Sequence, residues 1–257
     1  MANEHAHYAL KERTVSLSDV PLEARRVAIA QLSETPSSVG PGVFAMILAD
    51  ETDPVCRWYA VRAMGDLRAI EYSELLLHVL RQPDVVFEHS SLHLIAARSI
   101  GLLGQAMVPK IAVLLEDGHE QTRLAAVDAL GELRDPAGIP TLARCLTSSS
   151  RQLRLWSALG LAKIGSPSLS CLADAISTGD SELVFICLDA LIMIDCPITM
   201  DVIASAAERY PSVCRQYFCG QMLPRAKAYL LKLRHEVNTQ SGKALVAARI
   251  LELLELN

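Results

Sequence analysis

Aromatic side chains are scarce in this chain: two Trp, six Tyr and four Phe among 257 residues. Glycine and proline are also few, 13 and 12, which excludes a collagen-like or Pro/Gly-driven disordered chain. Positive charge is not in excess. The 24 Lys and Arg stand against 29 Asp and Glu, a net charge of -5, so the global field that a nucleic-acid partner requires is missing. The densest basic region, Arg225 and Lys227 through Lys232, Arg234 and Lys243, is one local patch that a solvated helix face accounts for. No long apolar run is free of charge. The most membrane-like stretch, Leu183 to Met200, contains Asp189 and Asp195, and a mid-membrane Asp costs about 2.5–3.5 kcal/mol. A buried helix ending in a turn at Asp195-Cys196-Pro197 fits it better, and no membrane insertion is expected. Met1 to Arg13 mixes charges around no apolar core, unlike a secretory signal. Seven cysteines is an odd number and no Cys-x-x-Cys occurs, so reduced thiols in a cytoplasmic protein are expected, several packing as small hydrophobes.

What the chain does have is a repeat. Arg123 to Leu133, RLAAVDALGEL, matches Arg57 to Leu67, RWYAVRAMGDL. Both place Arg first, Ala at +3 and +6, a large apolar residue at +7, Gly at +8 and Leu at +10. His93 to Leu103 keeps the frame with Ser99 at +6, and Arg154 to Ile164 keeps it with small residues at +3, +6 and +8. Weaker copies start at Arg25, Val184 and Arg215, so successive starts are separated by 32, 36, 30, 31, 30 and 31 residues, and a partial copy occupies Ala244 to Leu256. Within a copy the apolar or small positions +3, +4, +7 and +10 lie on one helical face, and the small ones let a second helix approach closely. A turn follows, as at Arg134 to Gly138 and Gly165 to Pro167. Pro136, Pro167 and Pro197 recur at +13, suited to the first turn of a following helix. The segments 108–115, 139–146 and 169–176 predict that second amphipathic helix. A lone hairpin of about 30 residues cannot bury its apolar face, so neighbours must stack.

The run RLAAVDALGELRDPAGIPTL (123–142), with weaker matches from about Arg25 to Gln221, resembles the HEAT-like repeats, in particular the subgroup named after phycobilisome lyases. The resemblance implies an all-α fold, an α-solenoid (superhelix) of about eight HEAT-like helical hairpins over residues 21–257, with residues 1–20 a tail or, if Tyr8, Leu10 and Val15 dock, a cap. It is specific for fold and unspecific for function. At the far end, Pro224 interrupts a first helix and Asn238 to Gly242 forms a loop before the terminal helix.

Each residue type that could carry function also has a packing role open to it. Arg25, Arg57, Arg123, Arg154 and Arg215 form either an anion-binding ladder or, as their fixed framework position favours, structural pairs with upstream acids such as Asp53, Asp117 and Glu120. His89 and His93 share a helical face beside Glu88, but a metal site needs a further ligand; no metal is expected. In deoxyhypusine hydroxylase, an enzyme of this repeat class, the resemblance leads one to look for His-Glu pairs at +1 and +2. Here those slots hold Trp58-Tyr59, Leu94-Ile95, Leu124-Ala125 and Leu155-Trp156, while His119-Glu120 precedes its helix. No Gly-x-Ser-x-Gly elbow or Gly-rich phosphate loop occurs, so no catalytic residue and no cofactor is expected. Trp58, Tyr59 and Trp156 are read as packing groups between units, as are Cys214, Cys219, Tyr217 and Phe218.

The expected function is therefore a cytoplasmic, non-enzymatic scaffold that binds another protein on the concave wall of its second helices. Glu74, His78, Lys110, Thr141, Arg144 and Asp174 are the expected partner-binding residues. The subgroup resemblance implies an alternative, a phycobilin lyase subunit or phycobilisome-handling protein that cradles a bilin or its phycobiliprotein. The acidic balance suits a third, an inhibitory, immunity-type binder of a basic enzyme.

Overall fold

The computed structural model describes residues 17–87, 90–194, 196–219 and 242–253. The chain divides into two compact units, Met1–Gly138 and Ile139–Asn257. Among the described residues there are fourteen α-helices. The expectations for residues 1–16, for Glu88-His89 and for the Pro224 and Asn238 breaks lie outside them.

The first unit contains three hairpins: α1 (Leu22–Glu34) with α2 (Pro41–Asp50), α3 (Pro54–Asp66) with α4 (Ser73–Arg81), and α5 (Leu92–Leu102) with α6 (Val108–Leu114). Helix α7 (Glu120–Leu133) closes the unit. The first helices lie side by side in sequence order, α1 on α3, α3 on α5 and α5 on α7, and the second helices α2, α4 and α6 pack against α3, α5 and α7. The second unit contains α8 (Ile139–Leu146), α9 (Arg151–Ile164), α10 (Leu169–Ile176), α11 (Ser181–Ile194), α12 (Pro197–Arg209), α13 (Pro211–Cys219) and α14 (Gly242–Leu253). Here α9, α11 and α13 form one row, α8, α10 and α12 a second, and α14 packs on α12. Each first helix carries one framework start. The segments 139–146 and 169–176 are helices end to end, and 108–115 is helical to Leu114.

The frame works as the small residues suggest. Its +3 members Ala28, Ala60, Ala96, Ala126, Ser157 and Cys187 are sealed from solvent, and so are the +7 members Leu32, Met64, Ile100, Leu130, Leu161 and Leu191. Gly65 lies so close to α5 that a methyl there would stand 2.6 Å from the Cβ of Ser99, and one on Gly101 would stand 2.9 Å from Glu132 of α7. The Ser99 hydroxyl donates to the Val61 carbonyl at 2.9 Å, so the one polar residue at this contact is satisfied across it. Side-chain caps begin several first helices. Asp53 accepts from the Cys56 amide at 3.1 Å, Ser150 from Leu153 at 3.3 Å and Asp180 from Leu183 at 2.8 Å.

Two details depart from the reading above. Pro136 and Pro167 sit not in the second helix but in one-turn 3-10 helices ahead of it, Pro136–Gly138 and Ser166–Ser168, whereas Pro197 does open α12. The 36-residue step between Arg57 and His93 holds a short antiparallel pair, β1 (Val86–Phe87) and β2 (Ser90–Ser91). Asp84 secures it, accepting from the Ser91 hydroxyl at 2.7 Å and the His93 amide at 2.9 Å.

Candidate partner-binding surface

At four of the frame starts, Arg25, His93, Arg123 and Arg154, the side chain has a structural partner behind it. Arg25 donates to the Leu17 and Val20 carbonyls, both at 2.9 Å, Arg123 to the Asp117 carbonyl at 2.6 Å and Arg154 to the Ser148 carbonyl at 2.8 Å. His93, which holds the same frame position, bonds the Gln82 carbonyl at 2.8 Å. The slot thus ties down the preceding loop, which is why an Arg and a His can both fill it. For Arg25, Arg57 and Arg154 a partner comes from the chain downstream rather than from the acids upstream. Arg25 pairs with Glu51, Nε to Oε2 at 2.9 Å, and donates from Nη2 to Oε1 at 3.5 Å, Arg154 pairs with Glu182 and Arg57 donates to Gln82. Burial lowers the pKa of Arg57, and its buried Nε has no hydrogen-bond partner. Asp53 is engaged by Arg26, not Arg57, at 2.7 Å.

The aromatic groups also pack. The Trp58 indole donates to the Ser90 hydroxyl at 2.8 Å, joining α3 to the β1–β2 pair, and stands edge-on to Tyr59 with ring centres 5.3 Å apart. Trp156 differs, keeping 39% of its surface exposed. Tyr217 is buried beside Phe185 and Phe218, with its hydroxyl donating to Asp189 at 3.1 Å.

The six residues expected on the second helices fall in both units. In the first, Glu74 on α4 and Lys110 on α6 are exposed and joined to each other, Nζ to Oε1 at 2.8 Å, and Lys110 also donates to the Ser73 hydroxyl at 3.0 Å. His78 is exposed and meets the Gln82 side chain at 3.1 Å. In the second, Arg144 and Asp174 are exposed and Thr141 is half-buried.

Of the six, Asp174 borders a groove. A groove of about 390 Å³ runs between α8 and α10, with Ile139, Leu146 and Leu183 among its apolar residues and Asp174, Ser170 and Thr178 among its polar ones. A second, of about 280 Å³, runs between α10 and α12, lined by Ile176, Val202, Asp201, Ser205 and Arg209 among others. Helix α10 is the ridge between them. Asp174 and Asp201 are both exposed, and neither is held in an ion pair among the described residues. Arg209 stands over the Tyr210 ring, 5.5 Å from its centre. Cys171 lines the first groove, and desolvation raises its pKa, with Asp174 adding to the effect. Sequence reasoning passed over Cys171, Asp201 and Arg209. The usable signal was the 30-residue step that carries Thr141 to Cys171 and on to Asp201. Among the described residues no three His, Cys, Asp or Glu gather as a metal site.

Residues 108–192 match the HEAT repeat family. No curated protein matches the sequence. Among solved structures, the chain is similar to the complex of CpcE and CpcF of phycocyanin lyase from Nostoc sp. PCC7120, with 20% identity, 98% of this chain and 93% of that one covered, and a TM-score of 0.46. It is similar to an archaeal HEAT-like repeats protein from Thermococcus onnurineus NA1, with 14% identity, 99% and 98% covered, and a TM-score of 0.46. Human deoxyhypusine hydroxylase follows at 16% identity, 99% and 98% covered, with a TM-score of 0.36. At such identities and TM-scores none of these likenesses carries an activity, ligand or partner over to this chain.

Proposed function

We propose that this chain, whose residues 108–192 match the HEAT repeat family, is a non-enzymatic protein-interaction module that docks a partner protein on its second helices. The carrying observation is the pair of open grooves beside α10, whose floors are apolar and whose rims carry exposed carboxylates and hydroxyls. An apolar strip with a polar rim is the anatomy of a protein interface. The framework residues, by contrast, are spent on joining hairpin to hairpin, through Arg–carbonyl bonds and sealed alanines. Binding then needs no catalytic group, only a preformed surface. Asp174, Arg144 and Thr141 supply polar contacts in the second unit, and Glu74, His78 and Lys110 in the first.

A photo-crosslinking residue placed at Asp174 tests this in the native host. It should yield one discrete adduct with a second polypeptide, while the same group at Arg151, an exposed position on the first helix α9, should not. Adducts absent at position 174, or equally strong at 151, would overturn the assignment.

A further inference from the structure

Accepting that the second-helix wall is the docking face, we infer that the element taken by the second unit is a basic amphipathic helix laid across α10, one apolar side chain in each groove and a Lys or Arg between them. Three observations lead there.

The first is spacing. Packed helices stand about 8–10 Å apart, so the grooves on either side of α10 are separated by roughly that distance. An incoming helix rises about 1.5 Å per residue and repeats a face every two turns, so apolar residues seven apart lie about 10.5 Å apart on one side. Two such residues match two grooves. The second is shape. Leu146 lies in the first groove and Ile176 and Val202 in the second, while Ala143, Ala173 and Ala206 keep the walls short, leaving room for side chains to enter and for the visiting backbone to come close.

The third is charge. Asp174 on α10 borders the first groove and Asp201 on α12 the second, both exposed and both without an ion pair among the described residues. A residue three or four positions from both apolar anchors sits over the ridge and meets these carboxylates if it is a cation. A carboxylate there meets like charge instead, and a nucleic-acid phosphate is disfavoured on the same ground. Arg209 lies two turns along α12 from Asp201, so the cation belongs at the Asp201 end of that groove.

The test uses the full chain and two fluorescein-labelled synthetic helices, one with Leu at seven-residue intervals, Lys midway and Ala elsewhere, the other with Glu in place of Lys. Anisotropy should show saturable binding of the Lys helix and none of the Glu helix. Asp174→Asn with Asp201→Asn should weaken binding by about tenfold, the usual scale for two exposed pairs. Ser205→Trp, at an exposed rim position of the second groove, should abolish it while the circular dichroism stays unchanged. Equal binding of both helices, no binding of the Lys helix, or indifference to both variants overturns the inference. A crosslinked adduct at position 174 without Lys-helix binding leaves the docking face standing and removes only the basic helix; absence of both removes the two together.

Discussion

Replacing Gly65 by alanine would test whether helix rows in the first unit are held together by closeness or by mere greasiness. In an ordinary helix interior the change helps, by about 1 kcal/mol, because alanine is the better helix former. Here the added methyl would stand 2.6 Å from Ser99 Cβ and 2.7 Å from Ser99 Cα. Carbon atoms prefer about 3.5–4.0 Å, so α3 and α5 must separate by about 1 Å. Trimming Ser99 cannot cure this, since its main chain is part of the obstacle. Overpacking of this kind costs about 1–3 kcal/mol. The separation also pulls the buried Ser99 hydroxyl from the Val61 carbonyl, now at 2.9 Å, and an orphaned buried donor adds about 1–3 kcal/mol. After subtracting the propensity gain, the net loss is about 3 kcal/mol, a Tm drop of roughly 6–12 °C for a chain of this size. Urea or thermal unfolding followed by circular dichroism measures it. Gly118 is the control, since a methyl there meets nothing within 4 Å; Gly118→Ala should leave stability unchanged or raise it by about 0.4–1 kcal/mol. A Gly65→Ala protein as stable as the parent would refute the close-approach account of the frame.

Three further outcomes follow from local chemistry. The Ser157 hydroxyl is buried without a partner, at a frame position where Ala28, Ala60, Ala96 and Ala126 sit; Ser157→Ala should gain about 1 kcal/mol, and a lower Tm would show that the hydroxyl is satisfied in solution. The Arg26 guanidinium holds the Asp53 carboxyl below its ordinary value of 3.8. Its folded value therefore lies under its unfolded one, and its stabilising contribution is complete above pH 3.8 and lost as pH falls through the folded value. Asp53→Asn should thus lower Tm at pH 7, with the gap closing below pH 3.8; a gap independent of pH would assign the effect to the cap alone. Burial pushes the Cys187 thiol up to about 12 and Cys214 up to about 11, and raises Cys56 as well. These three should resist iodoacetamide in the native protein at pH 8 and react after unfolding, as intact mass will show; prompt native labelling of Cys187 would contradict its burial.

Much of the core was legible because the frame is periodic and each helix buries itself against its immediate neighbours. Ala126, Ala129 and Leu130 point inward for the reason Ala60, Ala63 and Met64 do, and one copy teaches the next. The framework Arg was legible as structural, but its partners were not. Asp53 and Asp117 lie nearest in sequence, yet Arg57 turns to Gln82 and Arg123 takes the carbonyl of Asp117 rather than its side chain. Of the candidate surface, Asp174 was expected to be exposed and is, while Asp201 was missed although it stands one 30-residue step beyond Cys171.

Sequence alone decided which residues are helical, which face each helix buries and where small residues must stand, since these depend on contacts repeated at a fixed interval along the chain. The tertiary structure decided which groups meet: His93 doing the work of an Arg, Glu74 tied to Lys110, the β1–β2 pair filling the longest step, and open grooves on both sides of α10. Such meetings depend on how far each hairpin is shifted and turned against the next. That displacement is set by the summed packing of whole helix faces, and no single spacing in the sequence encodes it.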